Sequence, residues 1–267
     1  MKTTETVERF DVDTPHSAPS AITSQKPVLV KELDAPVVAL PMPGPVAETR
    51  YRLAATRLEA AIDGRRAGPR EAIALGRLVI VTSAQDGDGK TTTALHIATA
   101  LSQAIGRRVA LVEADTERPG LATMLGLGQA RGLTEVLAGQ ASLDDVLLRG
   151  ADGGPLILPA GGVGERLRRP AALLPVLNAL REYHDYVVVD CSAIARAADA
   201  AVIGRAADGV LLVVRVGSTS SPSLAAALEA LVDTPVVGCL LNDHDGPSRT
   251  PPTRGRPAPA PTFNDEE

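Results

Sequence analysis

Lys90 is the residue whose type and setting point first to chemistry. The chain carries 23 arginines but four lysines, and Lys2, Lys26 and Lys31 fall in a proline-rich N-terminal stretch. Lys90 is therefore the one lysine expected in the folded domain. A compact ammonium is not interchangeable with a planar guanidinium where a single point charge must reach into a tight loop. Lys90 lies in AQDGDGKT, residues 84–91, which matches [AG]xxxxGK[ST] with Ala84 at the usual first glycine. Gly87 and Gly89 let backbone N–H groups turn toward a polyphosphate, and the helix that starts here aims its positive end at the same place. The spacing predicts that Gln85, Asp86, Gly87, Asp88, Gly89, Lys90, Thr91 and Thr92 hold a nucleotide. Lys90, expected on an exposed loop, would reach the β- and γ-phosphates, and the Thr91 hydroxyl would ligate Mg²⁺. A Gly/Asp turn that merely caps a helix could give the same eight letters. The strand before them, the helix after them and the solitary lysine favour the phosphate loop.

Carboxylates follow at two other places. One apolar run ends in Glu113-Ala-Asp115, and another, YVVVD, ends in Asp190. Mg²⁺ takes oxygen ligands and keeps several waters, so a nucleotide–metal site needs carboxylates opposite the loop. That assigns Thr91, Asp115 and Asp190 to the metal. Asp115 could instead cap the helix that follows it, and Asp190 could cap the next turn. His96, on an apolar-rich helix, and Cys191 read as packed side chains.

These residues need strands to position them. Aliphatic runs occur at 78–82, 108–113, 155–159, 186–190, 209–214 and 236–241. Runs of this kind, without polar alternation, are strands buried on both faces. Helical spacing over 46–62 predicts an amphipathic helix, and further helices are expected at 90–104, 120–126, 132–138, 142–149, 170–183, 195–206 and 222–232. The alternation gives an α/β class: three layers, with a mainly parallel sheet flanked by helices. Ligands of such sheets bind beyond the carboxyl ends of the strands, where the loop and carboxylates fall.

Composition sets the outer limits. The chain has 267 residues, is 45% hydrophobic and 22% charged, and carries a net charge of −5, which argues against bulk electrostatic binding to nucleic acid or anionic lipid. Its apolar runs are far shorter than the ~20 residues a membrane helix needs, and MKTTETVERFDV has no apolar signal-peptide core. Cys191 and Cys239 form neither a zinc pattern nor a disulfide framework, as in a reducing, cytoplasmic compartment. Thirteen of 21 prolines fall in 1–45 and 247–267. Both segments are expected to be disordered Pro-rich tails around a domain at 46–246.

Together the motifs VTSAQDGDGKTT, EADTERP and HDYVVVDCSA resemble those of the bacterial tyrosine kinases (BY-kinases) of capsular and exopolysaccharide export, approximately VTSxxPGEGKST, DADxRRP and YDxVIIDTPP. The resemblance covers about residues 45–243 and implies a P-loop NTPase fold. Partition ATPases of the Min/Par type share that fold but usually carry a lysine at the place of Gln85. Carried over by position, the resemblance implies ATP and Mg²⁺ as cofactors and Lys90, Glu113 and Asp115 as catalytic residues. Glu113 would be the base for a tyrosine hydroxyl, and Asn242 would lie near the adenine. It further implies γ-phosphate transfer to tyrosine or water, or a nucleotide-gated binding module. The implied partner is the cytoplasmic part of a membrane polysaccharide co-polymerase. Copies of the chain would assemble at the inner face of the membrane without inserting. The chain departs from the pattern at Glu113, which replaces aspartate, and at Glu117, which stands in place of arginine. No tyrosine follows Tyr186, so the implied C-terminal tyrosine cluster is missing, and Tyr51 is the acceptor expected within the chain.

Overall fold

The computed structural model describes residues 35–65, 75–128, 130–162 and 169–242. Its strands are β1 (Val37–Val38), β2 (Arg77–Ser83), β3 (Val109–Glu113), β4 (Leu148–Gly150), β5 (Leu156–Leu158), β6 (Tyr186–Asp190), β7 (Gly209–Arg215) and β8 (Val236–Asn242). They form one sheet in the order β1-β4-β5-β3-β6-β2-β7-β8, parallel except where β4 meets β5. The helices are α1 (Pro45–Arg65), α2 (Lys90–Thr99), α3 (Gly120–Met124), α4 (Leu133–Leu137), α5 (Leu143–Val146), α6 (Leu174–Tyr183), α7 (Asp199–Gly204) and α8 (Ser221–Ala230).

Successive strand residues face opposite ways, so each apolar run feeds two cores. Leu78 and Ile80 of β2, Val187 and Val189 of β6, and Val210 and Leu212 of β7 pack with Leu177, Ile203 and Ala227 of α6, α7 and α8. Val79, Val81, Val188, Leu211 and Val213 face the other way, onto Leu58 and Ile62 of α1 and Leu95 and Ile97 of α2. Burying one such side chain contributes roughly 1.5–3 kcal/mol. The three layers expected from sequence are therefore present, and every expected strand forms.

The corrections lie at the edge of the sheet. Residues 35–45 were assigned to the tail, yet Val37–Val38 pairs with β4, Ala35 is buried and Leu40 packs on the second core. A two-residue strand has no periodicity to read, and its neighbouring prolines mislead. Pro45 in fact opens α1, where its missing N–H is not needed. The helix expected at 142–149 stops at Val146, and β4 then turns back onto β5 through Asp152 and Gly153, both in left-handed backbone. The Asp-Gly pair was the available hairpin signal. The helix expected from 195 begins at Asp199. The expectations for 1–34 and 243–267 lie outside the described residues.

Candidate functional site

β2 carries the chain to Ser83 at the carboxyl edge of the sheet, residues 84–89 turn back, and α2 begins at Lys90. Gly87 and Gly89 hold φ values of 87° and 94°, which side chains other than glycine's resist. The loop is braced from inside. The buried Asp88 carboxylate accepts the Gln85 N–H at 3.1 Å and the Thr219 hydroxyl at 2.8 Å. The Ser83 hydroxyl donates to the Gln85 carbonyl at 2.8 Å, and the Gln85 amide donates to the Ser218 carbonyl at 3.3 Å. Asp88 thus shapes the cradle, and only its main chain is left to face a phosphate. Asn242, at the end of β8, donates to the Asp88 carbonyl at 3.0 Å, and its amide packs where a Cβ on Gly89 would stand. Asn242, expected beside the adenine, here braces the phosphate loop. Thr91 and Thr92 lie half-buried in the first turn of α2, with Gly120 close against the Thr91 hydroxyl.

Parallel register sets Glu113 of β3 directly beside Asp190 of β6. Asp190 is fully buried and neither carboxylate oxygen has a hydrogen-bond partner. Burial pushes its pKa up to about 7, with Glu113 and Asp115 adding to the rise while the Lys90 charge and the nearby Thr91 hydroxyl oppose it. A buried, unsatisfied carboxylate costs on the order of 1–3 kcal/mol or more, and at this place it fits a cation shared with water. Among the described residues no three His, Cys, Asp or Glu side chains converge to cage a metal. A Mg²⁺ ion would therefore draw on Asp190, Asp115, the Thr91 hydroxyl, water and phosphate oxygens, a donor set made of oxygen alone.

Asp115 has a side chain 1% exposed and lies 3.4 Å from the Lys90 ammonium. The Lys90 side chain is itself only 12% exposed, so the exposed loop lysine expected from sequence is instead held inside the site. Asp115 also accepts the Arg118 N–H at 3.2 Å and two hydrogen bonds from Arg196, one of them at 3.0 Å. Burial alone would raise its pKa. The Arg196 hydrogen bonds and the Lys90 and Arg196 charges outweigh that and lower it. Sequence reading missed Arg196, whose only signal was the reversed charge at Glu117, now 3.3 Å from its guanidinium.

Glu113 is near enough to Asp190 and Asp115 to act on their charges, but its hydrogen bonds go elsewhere. Its buried carboxylate accepts the N–H groups of Leu121 at 2.5 Å, Ala122 at 3.2 Å and Ala160 at 3.1 Å. Burial raises its pKa, and these three donors pull it back. A tyrosine hydroxyl reaching Glu113 in the base role expected of it would have to displace these main-chain donors. The extra methylene relative to aspartate is what carries the carboxylate as far as α3. Tyr51, the acceptor expected within the chain, is half-buried against His96, with ring centroids 4.8 Å apart. Tyr186 and Cys191 are buried, and His96 is packed as expected.

Residues 79–251 match the family model described as the CobQ/CobB/MinD/ParA nucleotide binding domain. The succinoglycan biosynthesis transport protein ExoP of Rhizobium meliloti is 37% identical over 178 residues, which are 63% of this chain and 22% of that protein. The tyrosine-protein kinase CpsD of Streptococcus agalactiae is 30% identical over 175 residues, 62% of this chain and 74% of the relative. The kinase domain of the Escherichia coli tyrosine kinase ETK superposes with a TM-score of 0.64 at 22% identity. That match covers 80% of this chain and 92% of the domain, a likeness of fold.

Proposed function

From the premise that the chain belongs to the CobQ/CobB/MinD/ParA family of nucleotide-binding domains, we propose that it binds ATP with Mg²⁺ and transfers the γ-phosphate to tyrosine or to water. Its setting would be the control of exopolysaccharide or capsule synthesis and export, as the names of its ExoP and CpsD relatives suggest. The observation that carries the reading is Asp190: a buried carboxylate without a partner, one strand from a glycine-turned loop that ends in Lys90. A protein bears such a cost where a ligand removes it.

The residues divide the work. Main-chain N–H groups of 86–91 at the start of α2 form an anion cradle, and Lys90 brings a point charge to it. Bound there, Mg²⁺·ATP would supply an activated phosphoryl group whose charge the metal partly neutralises. Thr91, Asp115 and Asp190 would hold the metal and its water shell, above strands whose central residues are buried on both faces. Catalysis on this plan is positioning and charge compensation. The partner we infer is the cytoplasmic part of a membrane polysaccharide co-polymerase. Among the described residues no helix is long and apolar enough to cross a membrane.

A second reading has an observation of its own. With Glu113 bound to three main-chain donors, the site has nucleotide ligands but lacks an accessible carboxylate at the position the resemblance gave to the base. A nucleotide-gated binding module, switching a partner's assembly by occupancy, needs only the former. A Min/Par-type partition ATPase is a further alternative within this family, and Gln85, where such ATPases usually carry a lysine, favours the kinase branch. A single-turnover assay with labelled ATP separates the readings by following phosphotyrosine and released phosphate independently. Phosphotyrosine supports the kinase, phosphate alone supports an ATPase, and binding without either supports the module.

A further inference from the structure

Arg196 is held at the mouth of the candidate site by carboxylates from two sides. Its guanidinium is bidentate on Asp115, reaches Glu117 at 3.3 Å and lies 3.2 Å from Asp86 of the phosphate loop. Asp86 also pairs with Arg118 at 2.9 Å. The Arg196 side chain is 13% exposed, and the Asp115 oxygen it shares lies 3.4 Å from Lys90. The two cations therefore meet at one carboxylate. Its backbone is fixed as well. The N–H groups of Ile194 and Ala195 donate to the carbonyls of Ser83 and Ala84 at 2.9 and 3.2 Å, and the Arg196 N–H donates to Ala193 at 2.9 Å. The loop after β6 is thus pinned to the first residues of the phosphate loop, and Arg196 cannot drift from it.

We propose that Arg196 is a terminal-phosphate contact held in reserve: it bridges Asp86, Asp115 and Glu117 when the loop is empty, and turns to a nucleotide's last phosphate when Asp115 is drawn to the metal. This rests on the nucleotide reading above. The chemistry is an exchange of acceptors. A guanidinium binds phosphate oxygens with the same planar fork it uses on carboxylates. With a Mg²⁺-bound nucleoside triphosphate in the loop, Arg196 would have a new anion and Asp115 a new cation, so each could give up the bond they share. A diphosphate would bring the metal but no γ-phosphate within reach, and would leave Arg196 with Asp86 and Glu117. The chain would then tell triphosphate from diphosphate in cis, through a residue on the β6–α7 loop. Asp115 would be available to the metal only once Arg196 lets go.

Titration calorimetry of the full chain with Mg²⁺·ADP and with a Mg²⁺-bound non-hydrolysable ATP analogue tests this without turnover. The wild type is expected to prefer the triphosphate. Arg196→Ala should weaken the triphosphate about tenfold or more while diphosphate affinity stays within about threefold, collapsing the preference. Arg196→Lys, which keeps charge but not the fork, should fall between. Glu117→Gln, a change at a half-exposed side chain, should strengthen triphosphate binding about threefold by removing one competing acceptor. Equal losses for both nucleotides in Arg196→Ala, or an unchanged preference in all three variants, would overturn the proposal while leaving nucleotide binding intact. A wild type that binds neither nucleotide would overturn both.

Discussion

At the scale of single residues, the site is a balance of charges that are incompletely paired. Lys90 and Arg196 share Asp115, while Asp190 behind them has no hydrogen-bond partner. Lys90→Ala is expected to lower ATP affinity at least 100-fold, since charge-assisted hydrogen bonds to phosphate contribute about 1.5–3 kcal/mol each. Lys90→Arg should fail almost as badly, because the space around the ammonium is closed. Calorimetry decides, and wild-type affinity in either variant would remove the phosphate-loop reading. Asp190→Asn should act in opposite directions on stability and binding. Removing a buried, unpartnered carboxylate is expected to stabilise the nucleotide-free protein at pH 8 by about 1 kcal/mol or more, seen as a higher Tm. The same change should abolish the Mg²⁺ dependence of nucleotide binding. A lower Tm in Asp190→Asn would mean that the carboxylate is satisfied in solution.

At the scale of elements, Glu113 fastens β3 to the start of α3 and to the segment after β5. Glu113→Asp would bring the residue to the aspartate of the resembling motif, yet it withdraws the carboxylate from those three N–H groups. We expect a loss of about 2 kcal/mol in denaturant stability and no gain in phosphotyrosine. A gain in transfer would return Glu113 to the chemistry. The packing of α1 on α2 carries a pH dependence through His96, which is 8% exposed and lies tilted against Tyr51. Burial lowers its pKa below the usual 6.5. The unfolded chain is protonated first as pH falls, so this contribution to stability is complete above about pH 6.5 and is lost as pH drops through the folded-state value. His96→Gln should flatten the Tm profile between pH 7 and 5. A Gln variant with the wild-type slope would place the acid sensitivity elsewhere.

For the whole molecule, the carboxyl ends of β2, β3, β6, β7 and β8 all feed one edge of the sheet, so a ligand there touches most of the fold at once. Binding should therefore stabilise the domain globally. At 100 times the dissociation constant, Mg²⁺·ATP is expected to add about 2.7 kcal/mol, a rise of roughly 5–10 °C in Tm for a domain of this size. Lys90→Ala should remove the rise. A shift that survives in that variant would show that the nucleotide binds elsewhere.

Much of this was legible in the residues alone. Buried parallel strands announce themselves as unbroken aliphatic runs, because both faces must be apolar, and the phosphate loop announces itself because glycine spacing, lysine and helix start are local in the chain. The three layers, the strand ends and the roles open to Lys90, Thr91, Asp115 and Asp190 follow from such signals. Only the tertiary structure decided the rest. β1 and β4 are too short for a period, and exist because an edge already formed offers them partners. The carboxylate of Glu113 finds α3 rather than the loop, through one methylene and a neighbouring helix start. Arg196 meets Asp115 across 81 positions of sequence. Long-range electrostatic partners carry no local pattern, since a guanidinium is chosen by where the fold gathers carboxylates.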